Sequence, residues 1–150
     1  MPIGPGGLAV GFSSRYPPVR VNCPHVDYST NSVSYVEIGS GWRLTVEIGP
    51  SGLAKIEGNL ILRMTVLADC DLTLGIDGAA PASGSAAWLG GCAWNGGYMQ
   101  GAPFARLVTG LPGSHVFSIW WTVSSSTVYL DGASRGAVEM GSYWMVTPLP

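Results

Sequence analysis

The stretch from Leu107 to Val146, LVTGLPGSHVFSIWWTVSSSTVYLDGASRGAVEMGSYWMV, holds three apolar runs separated by Gly-, Ser- and Asp-rich turns. Short apolar runs punctuated by residues that accept tight turns read as strands rather than helices. The last run closes just short of Pro150, and no further helix or tail is expected after it. A final strand so placed is expected to run through the middle of a sheet and not along an edge. That is the layout of a compact β-sandwich or jelly roll.

The rest of the chain reads the same way. Trp42, Leu44, Val46 and Ile48 alternate with Arg43, Thr45 and Glu47, the period of two that marks a half-buried strand. Further strands are predicted over 33–38, 59–67, 70–76, 104–109, 114–124, 127–130 and 137–147. Asp77-Gly78 is a strong tight-turn signal after the run over 70–76. Residues 79–103 are rich in Ala, Gly and Ser and read as a long loop with a poor strand inside it. No amphipathic helical period and no internal repeat occurs. The prediction is an all-β fold, a single jelly-roll or β-sandwich domain, with a core that includes Leu60, Leu62, Met64, Leu72, Leu74, Phe117, Ile119 and Val123.

Residues 1–24 stand apart. Pro2, Pro5, Pro17, Pro18 and Pro24, with four glycines, rule out a regular helix and discourage a central strand. Yet Leu8, Val10, Phe12, Tyr16, Val19 and Val21 make the segment too apolar for a solvated linker. An extended arm docked on a partner fits both facts; an irregular first strand on its own domain is the competing reading. The expected division is an arm over 1–24 and a jelly roll over 25–150, with Phe12, Arg15, Tyr16 and Arg20 as the arm's contacts.

Charge then narrows the function. Only 11% of the 150 residues are charged, against about 25% in typical soluble domains. A surface this poor in charge is expected to be covered by partner subunits. The net charge of −2 argues against nucleic acid, which calls for a basic face. No run approaches the ~20 apolar residues of a membrane span, and the N-terminus lacks the basic and apolar stretches of a signal peptide. The expectation is a protein folded in a cytoplasm, with Cys23, Cys70 and Cys92 as small buried thiols.

Catalytic chemistry finds little support. His25 and His115 are the two histidines, and Cys23 beside His25 lacks any second ligand pair at zinc spacing. His115 has no G-x-S-x-G elbow to serve, and neither Gly90-Gly91 nor Gly96-Gly97 opens a phosphate-binding helix. Asp69/Asp71 and Asp77/Asp131 read as turn residues in preference to a calcium site. No catalytic residue, metal or cofactor is expected, and the chain is not expected to be an enzyme.

The aromatics say more. Trp120 and Trp121 are adjacent, so on a strand they face opposite ways. One can join Phe117, Ile119 and Val123 in the core; the other, beside Val116 and Ser118, needs cover from outside it. Tyr143 and Trp144 pose the same problem. A symmetric oligomer supplies that cover, with Trp120, Trp121, Tyr129, Tyr143 and Trp144 as interface candidates. The competing readings are a covering loop, such as 79–103, and a sugar-stacking platform, for which Trp88, Trp94 and Tyr98 are the candidates.

Val108-Thr109-Gly110-Leu111-Pro112-Gly113-Ser114-His115 leads into a Phe117-x-Ile119-Trp120 strand. A Ser-rich hairpin then passes into Thr127-Val128-Tyr129 and a closing strand. From about Asn59 onward this layout resembles small bacteriophage virion proteins compared with the tumour-necrosis-factor/complement-type trimeric jelly roll. The resemblance implies a homotrimer that contacts a major capsid protein or another virion protein, assembled in the host bacterial cytoplasm. Proteins of this kind serve as capsid decoration proteins, head fibres or tail knobs. The chain carries no collagen-like or coiled-coil stalk, so the expected role is trimeric capsid decoration. The alternative is a tail-associated receptor-binding knob that recognises a cell-surface glycan.

Overall fold

A computed structural model describes residues 15–79, 88–94, 99–132 and 141–150. Within them lie β1 (Val19–Asn22), β2 (Asp27–Thr30), β3 (Val36–Glu37), β4 (Leu44–Ile48), β5 (Ala54–Met64), β6 (Ala68–Ile76), β7 (Trp88–Trp94), β8 (Met99–Val108), β9 (Gly113–Val123), β10 (Val128–Asp131) and β11 (Tyr143–Pro148). One turn of 3-10 helix at Ser40–Trp42 is the only helical element among the described residues.

The strands form two antiparallel sheets packed as a jelly-roll sandwich. In sheet A, β5 is the spine. It pairs with β8 along one side from Ala54 to Arg63, and on the other with β11 from Ala54 to Asn59 and with β10 at Arg63 and Met64. β1 extends β11, and β2 extends β10. Between the ends of β10 and β11 the ladder is interrupted, and Ser142 Oγ accepts the Ile61 N–H at 2.8 Å in place of a strand carbonyl. In sheet B, β9 pairs with β6 on one side and with β4 and then β3 on the other, while β7 edges β6. As the sequence predicts, the closing strand lies inside its sheet, between β1 and β5.

Alternation decides what each strand buries. In β5, Ala54, Ile56, Leu60, Leu62 and Met64 all turn inward. The eight predicted core residues are each no more than 4% exposed. Burying side chains of this size contributes roughly 1.5–3 kcal/mol apiece, the main force that holds the two sheets together. Asp77 and Gly78 take the predicted tight turn, with φ of 54° and 75° and an Ala79 N–H to Ile76 O bond of 3.1 Å.

Several expectations are corrected. The strand predicted over 33–38 is reduced to Val36–Glu37. The chain then turns through the 3-10 helix, and Trp42 reaches the core from that turn and not from a strand. Residues 88–94 and 99–103, expected as a long loop with a poor strand inside it, are strands at the sandwich's side; 99–103 continues into the predicted strand at 104–109, and the resulting β8 is paired along its whole length with β5. The arm's expected end at residue 24 also moves. Val19–Asn22 is hydrogen-bonded to Tyr143–Val146 as the edge of sheet A, so these residues belong to the sandwich.

Candidate functional site

The described part of the molecule offers two outer faces for function, one on each sheet. Trp121 and Trp144, expected at an oligomer interface, belong to neither. They are 1% and 0% exposed within this single chain. The Trp144 indole N–H donates to the Trp42 carbonyl at 3.0 Å, which satisfies the one polar atom it brings into the core. Their strands alternate so that Trp120 and Tyr143, the neighbours, are the residues turned outward. The structure also separates residues expected on one face: Trp120 lies on the outer face of sheet B, and Tyr129 and Tyr143 on that of sheet A.

On sheet A each tyrosine is covered by an arginine. Arg20 Cζ stands 4.1 Å from the centre of the Tyr143 ring, and its Nε donates to Asn22 Oδ1 at 2.8 Å. Arg63 Cζ stands 4.0 Å from the centre of the Tyr129 ring, the residue opposite it across the ladder. Arg63 also grips the buried Asp131, with Nε to Oδ2 at 2.6 Å and Nη2 to Oδ1 at 3.2 Å. That bond raises the pKa of the Arg63 guanidinium above its ordinary value. Arg63 and Asp131 are therefore closed on each other, while Arg20 is bonded to the neutral Asn22 amide and lies over Tyr143. Tyr143, Met145 and Tyr129 remain half-buried, and the outward-turned Ile61 is only 6% exposed.

The arm residues are placed in part. Tyr16 lies flat on Gly49, where a Cβ would stand 2.8 Å from Tyr16 Cε2. Tyr16 and Arg20, expected to reach outward, are both laid against their own domain. Arg15 is exposed, and Phe12 lies outside the described residues.

The outer face of sheet B has different chemistry. Across three neighbouring strands Trp88, Thr73 and Trp120 stand in one row, continued by Glu37. Trp120 leans over Gly75 and donates its indole N–H to Ser118 Oγ at 2.9 Å. Thr73, between the two tryptophans, is 1% exposed and its Oγ1 has no hydrogen-bond partner. Trp88 is 49% exposed; Arg106 Nη1 donates to its backbone carbonyl at 2.7 Å, and its indole N–H reaches Asp71 Oδ1 at 3.4 Å. Asp69, Asp71, Trp88 and Gly91 line a shallow cavity of about 320 Å³. Burial, and then the Asp71 carboxylate, push the Tyr35 phenol pKa upward. Of the other glycan candidates, Trp94 is placed only by its backbone pairing with Ala68, and Tyr98 lies outside the described residues. Sequence reasoning missed Trp120, Tyr35, Asp71 and Thr73 as companions of Trp88. Only the cross-strand register brings them together.

At the rim of this face His115 Nδ1 bonds Asp77 Oδ2 at 2.8 Å, and Asp77 Oδ1 accepts the Val116 N–H at 2.9 Å. The Val116 N–H and then His115 hold the Asp77 pKa below its ordinary value. His115 Nε2 faces the Pro112 carbonyl at 3.4 Å, not a serine hydroxyl. Cys70 and Cys92, directly paired across β6 and β7, are buried free thiols, as is Cys23. No group of three metal-ligating side chains occurs among the described residues, and no described helix is long and apolar enough to cross a membrane.

No family model matches the chain, and no curated protein matches it significantly. Solved structures do. The chain is similar to a structure of infectious bursal disease virus Gt strain, with a TM-score of 0.51 and 10% identity over 89% of this chain and 37% of that one. The VP2 subviral particle of the same virus gives 0.50 and 11% identity over 89% and 37%. The Eiger TNF of S. frugiperda gives 0.52 and 8% identity over 90% and 93%. The chain thus spans little more than a third of the viral proteins and nearly all of the TNF. At these identities the likeness shows a shared jelly-roll fold.

Proposed function

We propose that this chain is a structural protein of a virus particle, a bacteriophage decoration protein that sits on the capsid as a homotrimer and is held there by its N-terminal arm. The observation that carries the reading is the outer face of sheet A. There Tyr129 and Tyr143 are pinned flat by Arg63 and Arg20, beside the half-buried Met145. Side chains fixed in advance lose little entropy when a second subunit covers them, and Tyr and Arg are the types that dominate interfaces. The scarcity of charge, 11% of residues, points the same way. So does the fold, shared with a VP2 that forms a subviral particle. Assembly in the host bacterial cytoplasm follows from this role, with the major capsid protein or another virion protein as the partner. No catalytic role, cofactor or nucleic-acid contact is part of it.

The interface is narrowed to Tyr129, Tyr143 and the arginines over them. Light scattering of the full chain should report three times the 15.6 kDa chain mass; a particle of one chain mass at micromolar concentration would overturn the trimer. A chain starting at Arg15 keeps β1 and should remain folded and trimeric, yet fail to attach to particles. A start near Val26 would instead strip β1 from β11 and leave a bare edge beside Val146. Copy number per virion separates decoration from the tail-knob alternative: many copies accord with a capsid location, a few with a tail tip.

A further inference from the structure

We propose that the outer face of sheet B binds a neutral oligosaccharide, with Trp88 as the stacking platform and Asp71 as the acceptor of sugar hydroxyls. This is independent of the particle role, which rests on the other sheet.

Four observations carry it. First, Trp88 is half exposed on a sheet surface, with its backbone carbonyl anchored by Arg106 and its indole N–H turned toward Asp71 Oδ1 at 3.4 Å. An aromatic ring open to solvent with an acceptor at its edge suits a flat partner that carries hydroxyls, and the C–H face of a pyranose is one. Second, the acceptors lie where the hydroxyls at the rim of such a ring would fall. Asp71 sits over Gly91, where a Cβ would be 2.9 Å from Oδ1 and 2.7 Å from the Cys70 carbonyl, so glycine keeps the carboxylate's place open. Asp69 stands two residues away on the same face.

Third, the aromatic row is long. Trp88 and Trp120 are separated by two strand spacings, about 10 Å, with Thr73 between them. A chain of sugar rings matches such a row better than a single ring does. Fourth, the charge selects the kind of sugar. The one described arginine lining the neighbouring cavity, Arg43, is bound twice by Glu37, at 2.6 and 2.7 Å. Asp69 and Asp71 enter no salt bridge among the described residues. Acidic sugars and phosphates would meet unneutralised carboxylates. A quaternary ammonium would accept the charge, but the site is a shallow platform and not a closed aromatic cage.

The test is isothermal titration of the full chain with neutral trisaccharides built from glucose, galactose, mannose or N-acetylglucosamine, with sialyllactose and choline chloride alongside. At least one neutral trisaccharide should bind with a Kd in the millimolar range or tighter. Trp88→Ala and Asp71→Asn should each weaken it by about tenfold or more, while Lys55→Ala, on the opposite sheet, leaves it unchanged. Trp88 is exposed and Asp71→Asn changes no volume, so both variants should keep the wild-type circular dichroism. Three results would overturn the proposal: no saturable binding of any neutral trisaccharide, binding that Trp88→Ala does not weaken, or binding of choline or sialyllactose alone.

Discussion

The two outer faces of this sandwich differ in how their polar groups are spent. On sheet A the arginines are committed: Arg63 holds Asp131 and covers Tyr129, and Arg20 holds Asn22 and covers Tyr143. On sheet B the aromatics have carboxylates for neighbours: Asp69 and Asp71 enter no salt bridge among the described residues, and Asp71 takes only the 3.4 Å contact from Trp88, while the Thr73 hydroxyl is buried between the rings without a partner. Both faces cover the same apolar core, so the difference does not come from folding. A face whose charges are already satisfied suits burial against another protein. A face that keeps free carboxylates beside an exposed ring suits a ligand rich in hydroxyls.

The largest effect that tests this contrast is Asp131→Ala. The Asp131 side chain is 3% exposed and that of Arg63 13%. Removing one member of a buried pair strands the other, at a cost of about 3–5 kcal/mol. Asp71→Ala on the opposite face removes a carboxylate that supports only a 3.4 Å contact, and should cost less than about 0.5 kcal/mol. Urea midpoints of the two variants decide the matter. Equal losses would mean that the two faces are not differently built.

The core was legible in the sequence because alternation is a burial signal, and Leu60, Leu62, Met64, Phe117 and Ile119 announce it. β7 and the first half of β8 were not, because Gly90, Gly91, Gly101 and Ala102 have too little side chain to show a period. Pairing with β6 and β5 makes them strands. β1 was hidden by the prolines around it, although its unpaired side needs no donor. Of the candidate sites, Trp88 and the half-buried tyrosines could be named from residue type alone. Which of two adjacent aromatics faces outward, and that Trp88, Thr73 and Trp120 share a row, depends on register, which is set by the whole ladder and not by local spacing.

A middle-sized effect follows at Gly75. A Cβ there would overlap Trp120 Nε1 and stand 2.7 Å from Ser118 Oγ, so Gly75→Ala must lift the indole from the sheet. Overpacking of this kind costs about 1–3 kcal/mol. Because Trp120 is half-buried and on the outer side, the loss should fall at the lower end and leave the core intact. Near-UV circular dichroism should change while the far-UV spectrum holds. A collapse of both would show that Trp120 supports the sandwich itself, which would remove it from the ligand face.

The smallest effect is also the most direct reading of the face, since it reverses sign between two threonines. Thr73 Oγ1 is buried between Trp88 and Trp120 and has no partner, so folding strips its hydration without return. Thr73→Val keeps the shape and removes that penalty, and should stabilise the chain by about 1 kcal/mol, or roughly 3 °C in Tm for a domain of this size. Thr122 lies on the same face two residues beyond Trp120, and its Oγ1 donates to the Ser32 carbonyl at 3.1 Å. Thr122→Val should lose about 1 kcal/mol, because it leaves that carbonyl with one bond fewer. Thermal melts of the two variants give the comparison in one experiment. If Thr73→Val lowers Tm as Thr122→Val does, the Thr73 hydroxyl has a partner in solution, and the acceptors of sheet B are closed as fully as those of sheet A.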